Sequence, residues 1–217
     1  MRYLLILLFL SANLNLRAQK IRLKKHILNG SLVTYQLDGN KLIITKDTNV
    51  KEVDEPTFVK IENVLITNGL IEVEVLSKLT PQAPDYARGF IGIAFYINPT
   101  NSNFQAVYLR PSNAESMDQV RRNHSIQYFS YPRYKFDILR NESPEKYETY
   151  ADISMNKWIK MKLQLQDGQV KLFVNGSSSP NLVINDLKGE VQTGGIGLWV
   201  DIGTKGYFRR LKITKFN

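Results

Sequence analysis

Apolar and polar residues alternate with a period of two along most of the chain from Ser31 onward. That period is the signature of strands with one buried face. SLVTYQL, Asp38-Gly39-Asn40 and KLIITK predict a hairpin closed by a glycine turn. KWIKMKLQLQ, Asp167-Gly168 and QVKLFVNG predict a second one. GLIEVEVLSK places Ile71, Val73 and Val75 on one face and Glu72 and Glu74 on the other. GFIGIAFYI is apolar on both faces, as a central strand should be, and its two glycines leave room for close backbone packing or a bend. TFVKIEN, VLITN, FQAVYLRP, SIQYFSYP, LVINDL, GGIGLWVD and YFRRLKITKF bring the count to roughly a dozen strands. Helix is suggested only between Tyr134 and Glu148, where Phe136, Leu139 and Arg140 precede PEKYE and Pro144 limits the segment to one or two short turns. The pattern predicts an all-β fold, a two-sheet antiparallel sandwich with a short helical insertion.

The first residues depart from this pattern. MRYLLILLFLSANLNLRAQK has a basic Arg2, an apolar run from Leu4 to Leu10 and a small-residue boundary. This is the layout of a secretory signal peptide, with Leu16 and Ala18 at the cleavage positions and a mature chain beginning near Gln19. The run is shorter than the roughly 20 apolar residues of a spanning helix, and no other segment is a candidate to span. The expected organisation is a signal peptide at 1–18, a basic tail or edge strand at 19–30 and one β-sandwich domain at 31–217. The expected location is outside the cytoplasm, periplasmic or extracellular.

Composition sharpens this. The chain has no cysteine, so disulfides and thiolate zinc sites are excluded and the core must hold the fold. The formal charge is +9. Loss of Arg2 and Arg17 with the signal peptide would leave +7. The lysines alternate along strands, as in KLIITK and KWIKMKLQ, which reads as the solvated face of a sheet and not as a nucleic-acid footprint.

Candidate chemistry collects between Val107 and Pro132. Alternation puts Phe104, Ala106, Tyr108 and Arg110 on one face. Arg110 offers a planar fork of donors to a carboxylate or to sugar hydroxyls, or else forms a structural ion pair. His124 has an ordinary pKa near neutrality and serves as a general base, a donor or a structural hydrogen-bonding group. Gln127 and Tyr131 combine an amide with a flat ring, the mixture of polar groups and apolar walls found in ligand pockets. Asn113 orients the loop or joins the site, and Arg121 or Arg122 faces the groove. Glu145 and Glu148 in the insertion are, with His124, the candidates for proton transfer.

ARGFIGIAFYINPTNSNFQAVYLRPSN, VRRNHSIQYFSYP, a Trp-containing strand, KLFVNG and GGIGLWV together resemble a group of exported bacterial proteins. That group has the concanavalin A-like lectin/glucanase sandwich, near the laminin-G-like and 3-keto-disaccharide hydrolase-like domains. The resemblance runs from about Gly69 to Phe216. It implies a jelly roll of two curved sheets with a concave face open to glycans, in a superfamily of binders, hydrolases and lyases. Glucanases of this superfamily carry Glu-x-Asp-x-x-Glu on one strand; Glu72-Val73-Glu74 matches half of it and lacks the third acid. The resemblance also implies a possible structural calcium, with Asp201 as a candidate ligand, and no other cofactor. The resulting expectation is a carbohydrate-binding, lectin-like domain. Tyr108, Arg110, Asn113, Arg122, His124, Gln127 and Tyr131 would contact a glycan or polysaccharide. The alternatives are a glycoside hydrolase of the same superfamily and an envelope protein-interaction domain.

Overall fold

A computed structural model describes residues 17–216. The signal-peptide assignment falls almost wholly outside the described residues. Among them, no helix is long and apolar enough to cross a membrane. In chain order the strands are β1 (Arg17–Lys20), β2 (Leu28–Ser31), β3 (Val33–Asp38), β4 (Lys41–Lys46), β5 (Phe58–Ile66), β6 (Gly69–Leu79), β7 (Ile91–Ile97) and β8 (Phe104–Leu109). Two short helices follow, α1 (Pro111–Ala114) and α2 (Gln119–Asn123), then β9 (Ile126–Tyr131), α3 (Phe136–Glu142) and β10 (Glu148–Thr149). The chain closes with β11 (Ile159–Gln166), β12 (Gln169–Val174), β13 (Leu182–Ile184), β14 (Gly194–Val200) and β15 (Thr204–Lys215).

The strands form two antiparallel sheets. The first runs β13-β12-β11-β6-β15-β4-β3, with β1 also paired to β15. The second runs β10-β9-β8-β7-β14-β5-β2. The fold is thus an all-β, two-sheet antiparallel sandwich, and GFIGIAFYI supplies β7, buried along its whole length in the middle of the second sheet. The hairpin of β11 and β12 turns on Asp167 and Gly168, both at positive φ (49° and 78°), as a two-residue turn matched to strand twist requires. TFVKIEN and VLITN are one strand, β5, not two. Asn63 sits at φ 60° within it, and asparagine tolerates that conformation, so the chain bulges and continues.

Apolar alternation fills the space between the sheets. Ile91 and Val200 face the first sheet, where Gly206 lets them approach β15 closely. Ile71, Val73 and Val75 are buried as predicted, while Glu72 pairs with Lys212 and Glu74 is clamped by Arg209 and Arg210. The basic segment at 19–30 is an integral part of this packing. It passes from β1 on the first sheet to β2 on the second, with Ile21 and Leu23 fully buried and the Ile21 amide bonded to the Leu211 carbonyl at 2.9 Å.

The second sheet also buries its outer face. Register aligns Phe58, Trp199, Gly92, Tyr108, Gln127 and Glu148 in one row across six strands. Gly92 decides the geometry of this row. A Cβ there would lie 2.3 Å from the Val107 carbonyl oxygen and 2.6 Å from the Tyr108 Cα. Without it, the Tyr108 and Trp199 rings approach to 4.8 Å. The covering is the 47–57 loop and the helical insertion: the Trp199 indole donates to the Glu55 carbonyl at 2.9 Å, and Lys135 pairs with Glu55. The insertion is helical over α3, as expected, and the polar stretch before β9 holds two helices that its periodicity did not signal. Asp118 caps α2, its Oδ1 accepting from the Val120 and Arg121 amides, which fixes the start of the helix.

Candidate functional site

β8 delivers Tyr108 and, just past its end, Arg110. The Arg110 Nη2 donates to the Tyr108 hydroxyl at 2.6 Å, and its guanidinium lies about 5 Å from the Tyr108 and Phe136 rings. β10 brings Glu148 beside Gln127, nearly fully buried. Arg140 of α3 grips that carboxylate with two donors, Nη2 to Oε2 at 2.5 Å and Nε to Oε1 at 2.9 Å. The His124 Nε2 is 3.3 Å from Oε1, and Arg110 is 3.8 Å from Oε2. Three cationic or basic groups thus share one buried carboxylate, which ties α3 to the sheet. Burial holds the His124 imidazole below its ordinary pKa; Arg140 and Arg110 push the same way, against the pull of Glu148.

A cavity of about 350 Å³ opens beside this cluster. Tyr86, Phe90, Tyr108 and Phe136 form its aromatic walls, and Arg88, Arg110, Arg121 and His124 bring donors to it. Asp54 and Asn113 also line it. The Asn113 Nδ2 donates to the His124 carbonyl at 3.0 Å, which leaves Oδ1 buried without a partner. Asp54 is 1% exposed and sits at φ 54°. Its amide donates to the Asp201 Oδ2 at 2.9 Å, and its own Oδ2 accepts from the Phe136 amide at 2.8 Å. Asp54 Oδ1 has no donor. Burial, reinforced by the Asp201 charge, raises the Asp54 pKa to about 7.

Asp201, the candidate calcium ligand, has its oxygens engaged. Lys46 donates to Oδ1 at 2.5 Å and the Ile202 amide at 2.7 Å, while the Asp54 amide takes Oδ2. An ammonium within ion-pair distance occupies the position a cation would need, and no group of three metal-ligating side chains occurs among the described residues. This donor set does not fit a calcium ion.

The predicted site residues divide. Tyr108, Arg110, Asn113 and His124 meet at the cavity. Arg122 lies outside it, bonded to Gln119, and its neighbour Arg121 lines it instead. Gln127 shares the face of Tyr108 but is buried outside the cavity, its amide given to the Tyr128 and Tyr147 carbonyls at 2.8 and 3.2 Å. Tyr131 stacks on Phe104, with centroids 5.1 Å apart, and lines a separate cavity of about 290 Å³ with Tyr134 and Lys188. Glu145 is exposed on the insertion. Glu148 is committed to Arg140. Sequence reasoning missed Asp54, Tyr86, Arg88 and Phe90. Only Phe90 was legible, since it precedes Gly92 by two and so shares the face of Tyr108, whose ring it meets at 6.1 Å.

No protein-family model and no curated protein matches the chain. Solved structures do. The carbohydrate binding module CBM66 from Bacillus subtilis aligns over 90% of this chain and 94% of its own, with TM-score 0.52 and 11% identity. A Bacillus subtilis protein of unknown function with a galectin-like fold aligns over 93% and 90%, with TM-score 0.53 and 14% identity. A β-1,3-1,4-glucanase (lichenase) from a mouse hindgut metagenome aligns over 88% and 98%, with TM-score 0.52 and 11% identity. Sheet topology and these likenesses together establish that the chain has the concanavalin A-like sandwich fold.

Proposed function

We propose that this is an exported carbohydrate-binding domain whose ligand enters the cavity bounded by Tyr86, Phe90 and Phe136. The cavity itself carries this reading. Flat apolar walls stand beside fixed donors, and two buried oxygens of wall residues, Asp54 Oδ1 and Asn113 Oδ1, have no protein partner. A pyranose ring supplies the complement, with apolar faces for the rings and hydroxyls that both give and accept hydrogen bonds. The cavity volume lies within the range of small-molecule sites. One of the similar structures is described as a carbohydrate binding module, which agrees with this ligand class. The helical insertion covers part of the outer face, so the ligand meets a pocket at its end and not a trough along the sheet.

A glycan array with the wild type and Tyr86→Ala tests the proposal. Tyr86 is 54% exposed, so its loss should leave the fold intact. Binding to at least one glycan, weakened in the variant, supports it. Absence of binding across the array, or equal binding by the variant, overturns it.

Hydrolysis is the second reading, favoured by Asp54. A buried carboxyl that retains its proton near pH 7 in a cavity wall is suited to general acid catalysis, and Asp201 lies beside it. Reducing-sugar release from a polysaccharide panel, abolished by Asp54→Asn, supports this reading; release that is absent or unchanged excludes it.

A further inference from the structure

The charges in the cavity do not cancel. Its acids are committed or neutral. Asp201 is paired with Lys46, and Asp118 is bonded to the α2 amides. Asp54 holds a proton up to about pH 7. Among the bases, Arg110 and Arg140 share Glu148. Arg88 and Arg121 have no carboxylate within ion-pair distance among the described residues. They also oppose each other: burial, then the charges of Arg121 and Arg110, depress the Arg88 pKa against the weaker pull of Asp85. Arg88 is nonetheless fixed, its Nη1 donating to the carbonyls of Asp85 at 2.5 Å and Ala87 at 2.8 Å. A half-buried guanidinium held against like charges is a position prepared for an anion.

We infer that the glycan taken by this cavity carries an anionic group, a carboxylate or a sulfate ester, seated between Arg88 and Arg121. This inference rests on the carbohydrate reading above and names its substrate class. The planar guanidinium fork matches both groups in two-point contact. Asn113 and Asp54 then meet the hydroxyls of the same sugar, and Phe90 and Tyr86 its apolar faces.

The test uses the full chain on an array of uronate oligosaccharides, their methyl esters, sulfated oligosaccharides and neutral oligosaccharides of matched linkage. Arg88→Gln/Arg121→Gln is compared with Lys24→Gln/Lys25→Gln, which removes the same charge from exposed positions remote from the cavity. The expected result is binding to the uronate or sulfated arm and about tenfold or greater weakening in the arginine variant only. Methyl esterification should abolish binding to the uronate arm if carboxylate is the anion, and retention on the sulfated arm alone would identify sulfate. Neutral glycans binding as tightly as anionic ones overturns this inference and leaves the carbohydrate reading standing. Equal weakening in both variants reduces the effect to net charge and overturns it too. Absence of binding on every arm overturns both.

Discussion

Arg140 reaches from the insertion helix to Glu148 on the sheet edge and holds both of its carboxylate oxygens, at 2.5 Å and 2.9 Å. The insertion is therefore anchored by an ion pair to a buried carboxylate, which Arg110 also approaches from the buried side. Breaking such a pair strands a charge away from water. Glu148→Gln should destabilise the protein by about 3 kcal/mol, read as a lower midpoint in urea unfolding. A change of less than a few tenths of a kcal/mol would mean that Arg140 is held otherwise.

The same carboxylate acts on the titration of His124. Its imidazole lies below the ordinary 6.5, chiefly through burial, and Glu148 pulls it upward. Because the folded value is depressed, stability from this group is present above pH 6.5 and is lost as the pH falls from there through the lower folded value. A proton NMR titration should place the His124 midpoint below 6.5, and lower still in Glu148→Gln. The chain has only two histidines, so the assignment is simple.

Asp54 has the opposite sign. Its folded value, about 7, lies above the ordinary 3.8. The native state keeps a proton that the unfolded chain has already released. The contribution of Asp54 to stability is therefore highest below pH 3.8 and declines until pH 7, by roughly 4 kcal/mol at most. Asp54→Asn removes this penalty and suits the positive φ. Its gain in melting temperature over the wild type should be small at pH 4, widen toward pH 7 and then level off. A pH-independent difference would remove Asp54 as a buried acid.

Gly92→Ala should be more harmful than its size suggests. The new methyl meets backbone atoms of β8 at 2.3 and 2.6 Å, and neither can move without parting the strands. A loss of about 3 kcal/mol is expected. Gly39→Ala, in an open hairpin turn at φ 62° with nothing within 4 Å, should cost only about 1 kcal/mol. Thermal unfolding of the two variants separates close approach from backbone strain.

The architecture was legible because its signals are local. Asp167-Gly168 needs nothing beyond its flanking strands to form a turn, and GFIGIAFYI declares burial on both faces without knowing what covers it. Half of the cavity was legible for the same reason: Tyr108, Arg110 and His124 belong to one strand–loop–strand unit. The rest arrives from elsewhere in the chain. Asp54 is buried only because a loop from the β4–β5 connection folds over Trp199, and Arg88 reaches the cavity from the segment before β7. Gln127 misled for a related reason. Its face was right, but the neighbouring backbone carbonyls of Tyr128 and Tyr147 hold its amide nitrogen inside the sheet.

The crossing of the N-terminal segment from one sheet to the other acts as a staple through both layers. Trimming by a protease ahead of Gln19 would leave its prongs, Ile21 and Leu23, seated. A cut beyond Leu23 would remove both side chains together with β1 and bare the β15 positions that β1 pairs. Any N-terminal trimming thus meets a hard inner boundary, set by two aliphatic side chains.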